Sequence, residues 1–143
     1  MARFHPKTAK DDGFTLLELL VVLAILGLLT AITAPQVLKH LATAKTEVAR
    51  IQVQTLSSAL DIYRLQTGHY PGEDEGLMAL VEKPAGESAW DGPYVRRKDA
   101  LQDPWGRIYL YRVPGRHGPF DLYSLGADNR EGGDGENQDV TSW

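Results

Sequence analysis

The sequence predicts an α+β protein in which one long N-terminal helix carries a small antiparallel sheet. Residues 14–67 read as helix in two chemically different halves, and residues 107–125 read as a β-hairpin around a Pro-Gly turn. A chain of 143 residues has room for one modest domain. At 43% hydrophobic and 24% charged, the composition argues against wholesale disorder. The absence of cysteine excludes a disulfide framework, a thiolate zinc site and a cysteine nucleophile. A formal charge of −4 gives no footprint for nucleic acid.

The first half of the helix is Phe14 to Ala34, FTLLELLVVLAILGLLTAITA, with Glu18 its one ionisable group. As a helix it spans about 30 Å at ~1.5 Å per residue, the thickness of a bilayer core. It is apolar nearly all round. Arg3, Lys7 and Lys10 precede it, which places the amino terminus in the cytoplasm. A secretory signal peptide is the rival reading. Its apolar stretch is usually ~7–15 residues long and ends at a small-residue cleavage site. This run is longer, carries a charge and is followed by Pro35.

Glu18 needs an explanation, because a carboxylate inside a membrane helix costs roughly 2.5–3.5 kcal/mol on insertion scales. Either it lies near the interface and reaches headgroup water, or it has a positive partner. That partner must come from another chain, since no basic residue lies between Phe14 and Pro35.

Pro35 is expected to kink or loosen the helix. Beyond it, over 36–67, Val37, Leu41, Ala44, Val48, Ile51, Leu56, Ala59, Leu60 and Tyr63 form an apolar stripe. The stripe is read as the face on which the globular part packs, and Gly68 as the helix stop. Leu77, Leu80 and Val81 suggest a short helix closed by Pro84. A loop follows, with Trp90 and Trp105 as packing anchors. Arg107–Val113 and Phe120–Leu125 then form the hairpin, with Pro114-Gly115-Arg116-His117-Gly118 as its turn.

Residues 128–139, DNREGGDGENQD, hold Asp128, Glu131, Asp134, Glu136 and Asp139 against one base, Arg130. Such a run reads as a solvated acidic loop. It reads equally as a Ca²⁺ site, because glycines let the backbone fold tightly and Ca²⁺ accepts oxygen ligands at variable spacing. The EF-hand spacing is missing, and one Gly132-Gly133-Asp134-Gly135 is a poor match to a calcium-binding repeat. His5, His40, His69 and His117 are scattered, and no GxSxG or HExxH occurs, so no catalytic site is expected.

Lys10-Asp11-Asp12-Gly13-Phe14-Thr15-Leu16-Leu17-Glu18 resembles the class III signal of type IV pilins and pseudopilins. The resemblance implies a leader, 1–13, removed by a prepilin peptidase between Gly13 and Phe14, with Phe14 then N-methylated. It implies that Glu18 meets the cationic amino terminus of a neighbouring subunit, trading an unpaired charge for a pair. Gly68-His69-Tyr70-Pro71, Glu75-Gly76-Leu77, Asp103-Pro104-Trp105-Gly106, Gly118-Pro119-Phe120-Asp121-Leu122-Tyr123-Ser124, Leu125-Gly126-Ala127-Asp128 and the closing Asp139-Val140-Thr141-Ser142-Trp143 resemble the major pseudopilins of the type II secretion system. Major type IV pilins commonly close a C-terminal loop with a disulfide, which this chain cannot form.

The family resemblance implies a pseudopilin fold: a membrane-embedded and filament-core helix over 14–35 and a periplasmic head over 36–143. It implies Ca²⁺ in the C-terminal loop, with the Leu125 carbonyl, Asp128, Asp134 and Asp139 as ligands and Glu136 a weaker candidate. It implies a non-enzymatic, inner-membrane subunit that forms a homopolymer with minor pseudopilins on an inner-membrane assembly platform, driven by a cytoplasmic ATPase, and that helps export folded proteins. Two other readings stay open: a type IV pilus subunit, and a membrane-anchored, calcium-dependent enzyme or binding protein.

Overall fold

A computed structural model describes residues 13–143. It contains one α-helix, α1 (Leu16–Thr67), and three strands, β1 (Leu110–Arg112), β2 (Asp121–Ser124) and β3 (Val140–Thr141). Short 3₁₀ turns occupy Gly76–Leu80, Lys98–Leu101 and Gly135–Asn137. Contacts divide the chain into two units, Met1–Leu38 and Lys39–Trp143.

In the first unit, the Glu18 N–H donates to Thr15 Oγ1 at 3.2 Å. Thr15 thus caps the helix, and Glu18 stands in its first turn, where the helix dipole favours an acid. The apolar side chains from Leu16 to Ile32 are exposed. α1 passes through Pro35 without a break in its helical conformation. A proline removes one N–H, and the bonds on either side suffice to carry the helix on.

In the second unit, α1 buries Ala49, Val53, Leu56, Ala59, Leu60 and Tyr63. They pack with Leu77, Leu80, Leu101, Tyr109, Leu122 and Val140 in one core. Each fully buried leucine there contributes about 1.5–3 kcal/mol. This corrects the stripe read from spacing. Val37, Leu41, Val48 and Ile51 are exposed, Ile51 by 62%. Two apolar stripes interleave on α1, and the sheet takes the one containing Ala49. That alanine is small enough for Tyr109 to approach, with its hydroxyl donating to Gln52 Oε1 at 2.8 Å.

The Gly68 N–H donates to the Arg64 carbonyl at 2.8 Å and ends α1 where expected. The sheet order is β1-β2-β3, antiparallel throughout, with Tyr111 opposite Leu122 and Ser124 opposite Val140. The hairpin is present with shorter strands than the spacing suggests. Trp90 donates its indole N–H to the Ala79 carbonyl at 2.8 Å, the anchoring role expected of it.

Candidate functional site

The residues singled out from sequence fall in two places. The first is the N-terminal segment, where Gly13 and Phe14 precede α1 in irregular, exposed backbone and Glu18 lies one turn in. An exposed, non-helical Gly13–Phe14 bond is accessible to a peptidase. Residues 1–12, with Arg3, Lys7, Lys10 and most of the segment anticipated as a leader, lie outside the described residues. The α1 segment beginning at Leu16 includes a stretch long and apolar enough to cross a membrane.

The second is the C-terminal loop between β2 and β3. Arg107 holds its start: the guanidinium donates to the carbonyls of Gly126 and Ala127, and its Nε lies 3.7 Å from Asp103 Oδ2. The Ala127 N–H donates to the Glu136 carbonyl at 2.8 Å and closes the loop. Gly126 and Gly133 have φ of +65° and +94°, and a Cβ on either would stand 2.7 Å from backbone atoms of Asn137. Only glycine fits at these two approaches.

The five carboxylates then have separate fates. Asp139 Oδ2 accepts the Gly132 N–H at 2.9 Å, while its Oδ1 is buried with no hydrogen-bond partner among the described residues. Leu125, Glu131 and Asp139 line one cavity of about 370 Å³, together with Arg112, Arg116 and Trp143. Asp128 is exposed and accepts the Arg130 N–H at 3.2 Å. Asp134 is exposed and opens the 3₁₀ turn. Glu136 accepts the Trp105 indole N–H at 3.0 Å and lies 3.6 Å from Lys45 Nζ.

Of the four ligands anticipated, Leu125 and Asp139 therefore share a cavity; Asp128 and Asp134 are not in its lining. Glu131, not singled out from spacing, joins them there. Among the described residues, no three His, Cys, Asp or Glu side chains converge as metal ligands. A cation here would need backbone carbonyls as well as acids, and Ca²⁺ is the common ion that accepts such a set. The orphaned Asp139 oxygen fits that requirement, since a buried carboxylate oxygen without a donor is costly until it gains a partner.

Beside the loop, buried Asp121 accepts the N–H groups of Arg116 at 2.8 Å and His117 at 3.1 Å, with the His117 ring 3.3 Å away. Burial pushes this carboxyl up, but those donors pull it further down, leaving it below the usual range. His117 also stacks on Trp143 at 4.0 Å, a packing role consistent with the scattered histidines.

Comparison with known proteins agrees with both halves of the chain. Residues 8–34 match the prokaryotic N-terminal methylation motif, and residues 36–143 match the family described as type II secretion system (T2SS), protein G. The type II secretion system core protein G of Pseudomonas aeruginosa is 44% identical over 94% of this chain and 96% of its own. That of Vibrio cholerae is 41% identical over 96% of this chain and 94% of its own. The crystal structure of the major pseudopilin from the type 2 secretion system of enterohaemorrhagic Escherichia coli is similar at a TM-score of 0.57, with 34% identity over 70% of this chain and 83% of that one. On the match over 36–143 and these identities, the chain belongs to the protein G family of the type II secretion system.

Proposed function

We propose that the chain is a non-enzymatic structural subunit, a major pseudopilin that polymerises into the periplasmic pseudopilus and helps drive export of folded proteins across the outer membrane. The observation that carries this reading is the pairing of an N-terminal methylation motif with a protein G head in one chain. The prepilin peptidase cuts between Gly13 and Phe14 and methylates Phe14. The apolar part of α1 first stores the subunit in the inner membrane, with the amino terminus cytoplasmic, and then packs in the filament core. Glu18 meets the new amino terminus of a neighbour and sets subunit register.

The surface of α1 supports a homopolymer. Leu41, Val48, Ile51, Ile62 and Leu65 are exposed at intervals made up of three- and four-residue steps, a face that a helix partner covers. Contacts between non-equivalent faces that do not close into a ring build a helical filament. Minor pseudopilins and an inner-membrane platform are the further partners.

Ca²⁺, when bound, cross-links the C-terminal loop. Leu125 through its carbonyl and Asp139 through its unpaired oxygen are the best placed to hold it, with Asp128, Asp134 and Glu131 brought in by loop movement. Glu136 is left to Trp105 and Lys45. The loop's residues then fix the edge of the sheet at β3, and with it the surface offered to other subunits.

Mass spectrometry of the protein from its native membrane tests the assignment. A chain beginning at methylated Phe14 is expected. A native chain still beginning at Met1 overturns it.

A further inference from the structure

The C-terminal end of α1 carries a contact that the filament reading does not use. His69 Nδ1 lies 2.9 Å from the Tyr70 carbonyl oxygen, and His69 Nε2 lies 2.9 Å from Glu87 Oε2. A carbonyl and a carboxylate both only accept, while a neutral imidazole has a single N–H. Both contacts are satisfied together only when the ring carries two protons.

We propose that His69 and Glu87 form a proton-dependent clip, which holds the 84–89 segment on the turn after α1 most firmly when the imidazole is doubly protonated and loosens when one proton leaves, because the neutral ring keeps a single N–H for two acceptors and loses its attraction to the Glu87 charge. The other ties between Pro84 and Ala89 are internal: the Glu87 N–H donates to the Pro84 carbonyl at 3.3 Å, and the Ala89 N–H to Glu87 Oε1 at 3.1 Å. The neighbouring anchors lie further on, at Trp90 with the Ala79 carbonyl and at Tyr94 with Gln66 and the Leu80 carbonyl. Among the described residues, the His69 contact is therefore the hydrogen bond that ties this stretch to the turn after α1.

The groups facing the ring favour its cation. The Tyr70 carbonyl does most to hold its pKa above the ordinary value; burial, next in size, pulls the other way, and the hydrogen bond and charge of Glu87 and then the charge of Glu75 add to the rise. From α1, Tyr63 meets the ring edge-on at 6.0 Å. Burial, chiefly, pushes the Tyr63 hydroxyl up to about 12, so it stays neutral throughout. Tyr94 packs behind Tyr63, and the Arg64 guanidinium lies over the Tyr70 ring rather than on the imidazole. With the folded value raised, the clip's contribution is complete below about pH 6.5 and is lost as pH rises through the folded value.

The test uses the full chain in nanodiscs, with imidazole NMR titration and amide hydrogen exchange from pH 5.5 to about 8.5, a range that brackets histidine titration. The His69 signal, assigned by its loss in His69→Gln, is expected to titrate above about 6.5. Exchange at residues 84–89, referenced to core amides of α1, is expected to speed up by as much as about fivefold through that midpoint. Glu87→Gln should lower the midpoint, and His69→Gln should hold the segment at its high-pH exchange level throughout. A midpoint at or below about 6.5, a midpoint indifferent to Glu87→Gln, or segment exchange that stays level with the core would each overturn the clip.

Discussion

Trp105 donates its indole N–H to Glu136 Oε1 at 3.0 Å across 31 positions of sequence, and Lys45 Nζ stands 3.6 Å from the same oxygen. This one carboxylate joins the loop before β1, the C-terminal loop and α1. Glu136→Ala should therefore destabilise the protein by about 1–2 kcal/mol, the usual range for a charge-assisted bond that is partly exposed. Urea denaturation of the chain in micelles measures it as a lower midpoint with an unchanged slope. Because Glu136 is engaged by the protein, the variant should keep the gain in melting temperature that the proposed calcium site predicts for the parent. Loss of that gain would make Glu136 a ligand.

Asp139 should behave in the opposite way. Its Oδ2 holds the Gly132 amide while its Oδ1 is buried without a donor. With chelator present, Asp139→Asn should be neutral or slightly stabilising, since it removes a charge whose partner is missing and an asparagine oxygen still accepts from Gly132. With calcium present, the same variant should melt below the parent. Melting curves under the two conditions check this reversal of sign, and parent curves that coincide with and without calcium would sink the proposed site.

Asp121 gives a prediction in pH. Its carboxyl is held below the usual range by the amides of Arg116 and His117 and by the His117 ring. A folded value below the unfolded one adds stability above the unfolded pKa of about 3.9, lost as pH falls through the folded value. Asp121→Asn turns an amide NH₂ towards one of these donors and should cost roughly 1–3 kcal/mol at neutral pH. The difference between parent and variant should shrink as pH falls below about 4, measured by denaturation across the acid range.

Much of this architecture was legible because its signals are local and repeated. The apolar run after Phe14, the stop at Gly68 and the Pro-Gly turn between aromatic strands each occupy many residues. Strand β3 is two residues long, too short to show alternation, and it exists because β2 offers a free edge. The buried face of α1 was read correctly at Leu56, Ala59, Leu60 and Tyr63 and misread before them, because Val48 and Ile51 are as apolar as Val53. Contact with Tyr109 and Leu122, distant in sequence, decides between them. In the loop, composition singles out five carboxylates without ranking them. Arg107, Trp105 and Lys45 rank them by taking the carbonyls of Gly126 and Ala127 and the carboxylate of Glu136.

Glu18 separates a structural role from an assembly role. Its backbone N–H, not its carboxylate, makes the bond to Thr15 that caps α1. Glu18→Leu therefore leaves the helix start capped, and membrane insertion becomes easier by roughly 2.5–3.5 kcal/mol once the charge is gone. If the carboxylate serves only to reach headgroup water, the variant should insert and assemble as well as the parent or better. If it grips a neighbour's amino terminus, the variant should accumulate in the membrane, be cleaved at Gly13, and yet fail to form filaments or support secretion. Cysteine cross-linking is clean here because the parent has no cysteine. Ile51→Cys treated with a bifunctional thiol reagent should give linked dimers in the parent background, since each subunit then carries one thiol, and monomers when combined with Glu18→Leu. An equal dimer yield in the double variant would remove Glu18 from assembly.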